Sequence, residues 1–462
     1  MTQAANALPT PRSAMIRRAL STAWPAMAES FFVTLAGMID TMMVSSLGTG
    51  AIAAVGLTTQ PKFISLTLFF GINVAISALV ARRKGEGRQE EANRVFLTAI
   101  SLALVLCAAV TVLFVALAPQ IMRLAGSEAS THDDAVTYFR IIEAGMVFNV
   151  LTMAINSAQR GSGNTRLSMY TNLTSSVVNV VFNYLLIGGN LGFPAMGIRG
   201  AAIATVLGTV VSAGMAVFSV TRHTSYIRTR IMLGRKMRPS RQDAKSIWHL
   251  TYNTSLENIA MRVGFVATAV IAAGLGQELF ALHNVEMQLL GLGFAFADGM
   301  QVAAIALTGE SLGAGRKEEA KAYGSICQRI GLAISVILSL LLLVGGRWFT
   351  SLFLTGEMTE ETRAHLLSVG AEVNWFIMVI VLLQISQIIF SACLRAAGDV
   401  RYTLAAALIS VAVIRTAVTV LTVLVFNMGL TGVWIGILSD QLSRFILMSL
   451  RFRKGEWVNL RI

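Results

Sequence analysis

Asp40 is a carboxylate placed inside a long apolar run, 17–45, where little water would answer its charge. Two later runs bring side-chain oxygens to a comparable level: Asn179 and Asn183 in 167–188, and Thr205 in 198–221. At a rise of about 1.5 Å per residue, Asp40 lies about five residues, roughly 7–8 Å, from the outer end of its run, Asn183 about five, Thr205 about seven and Asn179 about nine. Asn179 and Asn183 are four apart and share a helix face. A carboxylate beside amide and hydroxyl oxygens suits a proton or a hard cation. One negative charge offers a single protonatable group and weak holding of sodium, which favours the proton; sodium at Asp40, Asn179, Asn183 and Thr205 is the alternative. Burial disfavours a charged carboxylate, so proton uptake there removes charge and permits another helix packing. Pro25, earlier in the same run, lacks an N–H and marks a place to bend.

Other intramembrane charges are costly and tend to be functional or paired. Glu257 sits about eleven residues from the cytoplasmic end of its run. It reads as a substrate or proton site facing a cleft, with a paired acid between helices as the alternative; for Glu29 the paired reading leads. Arg262 and Glu286 fall at similar depths on consecutive antiparallel helices, as do Arg415 and Asp440, and both sets read as structural ion pairs. Lys62 follows Pro61 with no local acid. It has three open readings: a partner for Asp40, a positive charge on the cavity, or a side chain snorkelling to water. Met287 and Phe294 are candidates for an adaptable cavity lining.

These residues need long apolar helices to hold them. Of 462 residues, 55% are hydrophobic and 13% charged, with mean hydropathy +0.67. A soluble domain carries about a quarter charged residues, so the class is an all-α integral membrane protein. The net charge of +13 does not point to nucleic acid, because the basic residues cluster in short gaps between apolar runs. Cys107, Cys327 and Cys393 lack CxxC spacing, and His132, His223, His249, His283 and His365 are scattered, so neither a disulfide nor a metal centre is expected. No GxxxxGK[ST] is present, which argues against a nucleotide-driven pump, and no DxxxD motif is present, with Asp133–Asp134 expected in an outer loop, which argues against a membrane enzyme. The start, "MTQAANALPTPRSAMIRRAL", carries no short apolar core with a small-residue cleavage site, so no removable signal is expected.

About twelve runs are long enough to span a bilayer. The gaps on one side hold Arg82, Arg83, Lys84, Arg88 and Arg94, then the basic stretch 222–245, then Arg451, Arg453 and Lys454. The opposite gaps "SLGTGA", "GLGQE" and "NMGL" hold none. Both termini are therefore expected in the cytoplasm.

The chain also repeats itself. "GEGRQEEANRV" at 85–95 returns as "GAGRKEEAKAY" at 313–323, a shift of 228 that also carries Glu29 onto Glu257 and Leu47–Gly48 onto Leu275–Gly276. "RGSGNTR" (160–166) meets "RAAGDVR" (395–401) at a shift of 235, and "GIRGAAIAT" meets "GLTGVWIGI" at 232. Two six-helix halves follow, 1–221 and 246–462, joined by the basic segment 222–245. Six is even, so the halves enter the membrane in parallel, one common plan for transporters with a site between repeats.

Four ordered stretches, "PAMAESFFVTLAGMIDTMMVSSLGTGAIAAVGL", "RGSGNTR", "NVVFNYLLIGG" with "GIRGAAIATVLG", and "ESLGAGRKEEA", resemble the multidrug and toxic compound extrusion (MATE) family over nearly the whole chain. The resemblance implies two six-helix bundles in a V around a central cavity, in the plasma membrane (the inner membrane of a bacterium). It implies a monomer in the lipid bilayer that exports small amphipathic molecules against proton or sodium entry, with no other cofactor. Asp40 matches the family's coupling aspartate, Thr205 its sixth-helix threonine and Glu257 its seventh-helix glutamate. Asn179 matches the first residue of an Asn-then-Asp pair, but the second position here is Asn183, a departure that weakens the case for sodium. A lipid-linked oligosaccharide flippase of the same superfamily is the alternative, though the chain shows no additional spans and no broadly basic cavity.

Overall fold

The computed structural model describes residues 10–223, 225–353 and 360–460. The start read as uncleaved lies outside them up to residue 9. The described residues are helical, without strands: α1 Arg12–Ser45, α2 Thr49–Gly85, α3 Gln89–Ala116, α4 Ala118–Leu124, α5 His132–Ala144, α6 Met146–Gly161, α7 Thr165–Gly188, α8 Gly197–Thr221 and α9 Thr229–Gly234. They continue as α10 Arg241–Ala273, α11 Gln277–Gly313, α12 Lys317–Phe353, α13 Glu360–Ala397, α14 Val400–Ala407, α15 Thr416–Val420 and α16 Gly429–Lys454. Two π-helical stretches, Leu408–Arg415 and Leu421–Val425, complete the path from α14 to α16.

Among the described residues, ten helices are long and apolar enough to cross a bilayer, and α5 with α6, bent by 45°, makes up to eleven. The twelfth expected span is α7. It is a continuous helix of 24 residues, but its Asn, Ser and Thr side chains make it more polar than the others. That polarity is the material of the site.

The helices form two compact units by their contacts. The first runs from Trp24 to Ser255 with Gly313–Gly315; the second holds the described residues up to Ala23, Leu256–Leu312 and those from Arg316 onward. The border within α1 falls just before Pro25.

The sequence repeat is reproduced in the backbone. Gly87 and Gly315 both take φ 73°, each two residues past the last helical residue. Arg88 N donates to Arg83 O at 3.0 Å, and Arg316 N to Ser311 O at 2.9 Å, the same six-residue closure. Gly163 and Gly398 match in the same way, with Asn164 N on Gln159 O and Asp399 N on Leu394 O. Acids then open the next helix, Glu90 and Glu91 in α3 and Glu318 and Glu319 in α12, against the positive end of the helix dipole.

The basic segment 222–245 is not a free tether. The Gln89 and Asn93 amides donate to Tyr226 O, Asn93 Oδ1 accepts Arg228 N–H, and Arg94 meets Asp243 at 2.9 Å. The segment is thereby fastened to the first turns of α3.

Two glycines set the spacing around the site in the first unit. A Cβ at Gly200 would meet Leu186 O at 2.5 Å, and one at Gly208 would meet Ser175 O at 2.6 Å. Backbone therefore lies against backbone where α8 crosses α7, and Thr205, between these glycines, is held against α7. An apolar cluster that includes Val44, Tyr138, Phe139, Ile187 and Ile198 closes the region beside it.

Candidate functional site

In the first unit, the four residues singled out as the ion site come together as two hydrogen-bonded pairs. Asn183 Nδ2 donates to Asp40 Oδ1 at 2.5 Å. One turn earlier, Asn179 Nδ2 donates to Thr205 Oγ1 at 3.1 Å, and Thr205 in turn donates to Ala201 O. Asp40 is half-buried and Asn183 fully buried, with Asn183 Oδ1 left without a protein partner. The i, i+4 spacing on α7 puts both amides on one face.

Lys62 stands on α2, within electrostatic reach of Asp40 and of Glu143. Among the described residues it makes no ion pair within 4 Å. Ser65, one turn along α2, donates its hydroxyl to Glu143 Oε1 at 2.9 Å. Glu143 is fully buried two residues before the bend at Gly145, and its Oε2 has no partner. Tyr138, from α5, is buried within electrostatic reach of Asp40. The site thus combines two carboxyls, one ammonium and neutral amides and hydroxyls. Sequence reading passed over Glu143, although an acid inside an apolar run was signal enough.

Three turns below Asp40 lies a second cluster. Arg160 Nη2 and Asn172 Nδ2 both donate to Glu29 Oε1, and Ser168 Oγ donates to Oε2 at 3.0 Å. The second unit repeats it in register. Arg395 Nη2 donates to Glu257 Oε1 at 2.5 Å and Thr403 Oγ1 to Oε2 at 3.1 Å, while Arg395 Nη1 reaches Gln301. Arg395 and Thr403 are the 235-shift mates of Arg160 and Ser168. Glu257, expected as a substrate or proton site with a paired acid between helices as the alternative, is paired in the same way as Glu29, with both oxygens engaged by its own unit.

At the position equivalent to Asp40, the second unit carries Thr268, whose hydroxyl accepts Arg415 Nε–H at 2.9 Å. Arg415 and Asp440 meet at 3.6 Å, both essentially without exposure. Arg444, four residues along α16, takes both Asp440 oxygens at 2.9 and 2.8 Å, a partner that the sequence reading missed. Arg415 also lies over the Phe265 ring, which meets Phe294 edge-on.

Arg262 and Glu286 are not brought together. Glu286 is buried and accepts from Thr350 at 2.8 Å, with Oε2 unpartnered, whereas the Arg262 side chain is exposed. Depth counting matched their levels but could not fix which way each side chain turns about its helix axis. Met287 and Phe294 are both half-buried in the second unit.

Long apolar helices with duplicated turns and many large apolar side chains exposed on their flanks define a multi-pass membrane protein. The family model MatE matches residues 25–185 and again 254–421, one match in each half of the repeat. The chain belongs to the MATE family. It is 27% identical over 457 residues to a probable multidrug resistance protein NorM of Thermotoga maritima, covering 98% of this chain and 95% of that one. Its fold is that of a MOP superfamily transporter from Pyrococcus furiosus, with TM-score 0.88, 23% identity and 97% of each chain covered. An outward-facing multidrug resistance MATE transporter is similar as well, with TM-score 0.87, 23% identity and 97% and 100% of the two chains covered. Members of the family are transporters and not enzymes.

Proposed function

We propose that this chain is a proton-coupled antiporter that exports amphipathic small molecules by alternating access, with Asp40 as the coupling carboxylate. The reading places both termini in the cytoplasm of a bacterial inner membrane, with six-helix lobes 1–221 and 246–462 working as the two halves. The observation that carries it is the setting of Asp40: one carboxylate, hydrogen-bonded by an amide N–H, with the Lys62 ammonium within electrostatic reach. A sodium ion bound there would face that ammonium, and Asn183 turns a donor rather than an oxygen toward the carboxylate. Protonation replaces a charge-assisted hydrogen bond with a neutral one of roughly half the strength, which loosens α1 from α7. Substrate and proton then favour opposite packings, and their coupling is reciprocal.

Sodium coupling is the second reading, supported by the unpartnered Asn183 Oδ1 and the nearby Thr205 hydroxyl. Purified protein in liposomes separates the two. An inward proton gradient without sodium should drive export of an amphipathic dye, and a sodium gradient at equal pH should not. The reverse pattern would sink the proton reading.

A further inference from the structure

α1 is fastened to α7 at two levels in one register. Glu29 and Asp40 are eleven residues apart, and so are their partners Asn172 and Asn183. Eleven residues make about three turns, roughly 16 Å, so both fastenings lie on the same face of each helix. The levels differ in chemistry. At the lower one, Glu29 meets a guanidinium, an amide and a hydroxyl, and a guanidinium keeps its charge in proteins. At the upper one, Asp40 meets an amide from α7, with Lys62 of α2 and Tyr138 of α5 as the other charged or titratable groups within electrostatic reach of it, and Glu143 within reach of Lys62.

The second unit provides an internal control. Its lower level is built the same way, Glu257 with Arg395 and Thr403, on the mates of Glu29, Arg160 and Ser168. Its upper level joins Thr268 to Arg415, a hydroxyl and a guanidinium, neither of which titrates near neutrality. The lower clamp is therefore common to both units, and the protonatable upper fastening belongs to the first unit alone.

We propose that the Glu29–Arg160–Ser168–Asn172 cluster is the fixed pivot of α1, so that protonation of Asp40 releases the helix from α7 only above Glu29. Glu29 and Arg160 are then positioning residues of the transport cycle: they turn a change of charge at Asp40 into a bend rather than a loss of the whole helix contact. The role of Asp40 rests on the function proposed above; the pivot itself rests on the lower cluster.

Reversible cross-linking tests it. Glu29→Cys with Asn172→Cys, bridged by a short bis-methanethiosulfonate, replaces the pivot by a covalent one. Val44→Cys with Ile187→Cys, in the apolar cluster above Asp40, bridges the upper level. The native cysteines are buried in the structure. In liposomes, the reduced lower pair, which lacks the pivot, should lose most transport, and bridging it should regain at least half of the loss. The bridged upper pair should fall below a tenth of the transport of its reduced form and recover on reduction. Full transport by the reduced lower pair, no recovery when it is bridged, or transport that continues when the upper pair is bridged, overturns the pivot. A second set of variants uses no cross-linker: Glu29→Arg alone should lose most transport, and Glu29→Arg with Arg160→Glu should regain at least half of the loss. A folded swap variant that regains nothing overturns the pivot as well. If transport runs on sodium instead, the Asp40 reading fails, while the bridging comparison, read with that gradient, still decides the pivot.

Discussion

Replacing Arg395 by methionine should destabilise the protein far more than replacing both members of its ion pair. The Glu257 side chain is 4% exposed and that of Arg395 12%, and they meet at 2.5 Å. Removing one partner of a buried pair strands the other charge, at about 3–5 kcal/mol. Thr403 still donates to Glu257 Oε2, so the lower end, about 3 kcal/mol, applies. At about 1.4 kcal/mol per tenfold, that is roughly a hundredfold shift in the folded-to-unfolded ratio. Glu257→Gln with Arg395→Met leaves no stranded charge and should lie within about 1 kcal/mol of the starting protein. The assay is an unfolding titration with sodium dodecyl sulfate in mixed micelles, followed by tryptophan fluorescence, on all four members of the double-mutant cycle. The expected coupling is about 2 kcal/mol or more; a value under about 0.5 kcal/mol would mean that the pair is not a clamp. Arg160 is 26% exposed, so the same cycle on Glu29 should give a smaller coupling because of solvent screening.

Three further outcomes are expected. Lys62→Met removes the ammonium beside Asp40, so sodium at about 100 mM should alter dye export by the variant while leaving the unmodified protein unaffected; an equal response in both would remove the charge argument against sodium. Gly315 has φ 73° with open space around its missing Cβ, so Gly315→Ala should cost about 1–2 kcal/mol of backbone strain in the same titration. Gly313→Ala should cost more, because its Cβ would lie 1.9 Å from Arg82 O; equal losses would contradict that close approach.

The scaffold was legible where it depends on periodicity. Run lengths located the spans, and the doubled GRxEEA turn set the register that the backbone of Gly87 and Gly315 reproduces. The Asp40 cluster was legible because three spans carried isolated polar residues at one depth, and because spacing by four fixes a face. Arg160 and Arg395 were missed because each lies at the end of a helix, where a basic residue reads as a cytoplasmic marker; the repeat held the signal, since the 235 shift carries one arginine onto the other as the 228 shift carries Glu29 onto Glu257. Arg262 and Glu286 failed for the opposite reason: their depths agreed, but their directions about the helix axes did not. Arg444 was hidden by sharing a helix with Asp440, since matching depths pair charges on different helices. The π-helical stretches that carry Arg415 leave no mark in apolar periodicity.

The most direct test of the account is substrate-driven proton movement in liposomes with a trapped pH indicator, comparing the unmodified protein with Asp40→Asn. The account predicts that adding an amphipathic substrate moves protons across the membrane with the unmodified protein and that Asp40→Asn, though folded and still able to bind the substrate, moves none. Proton movement by Asp40→Asn at the unmodified rate would contradict it.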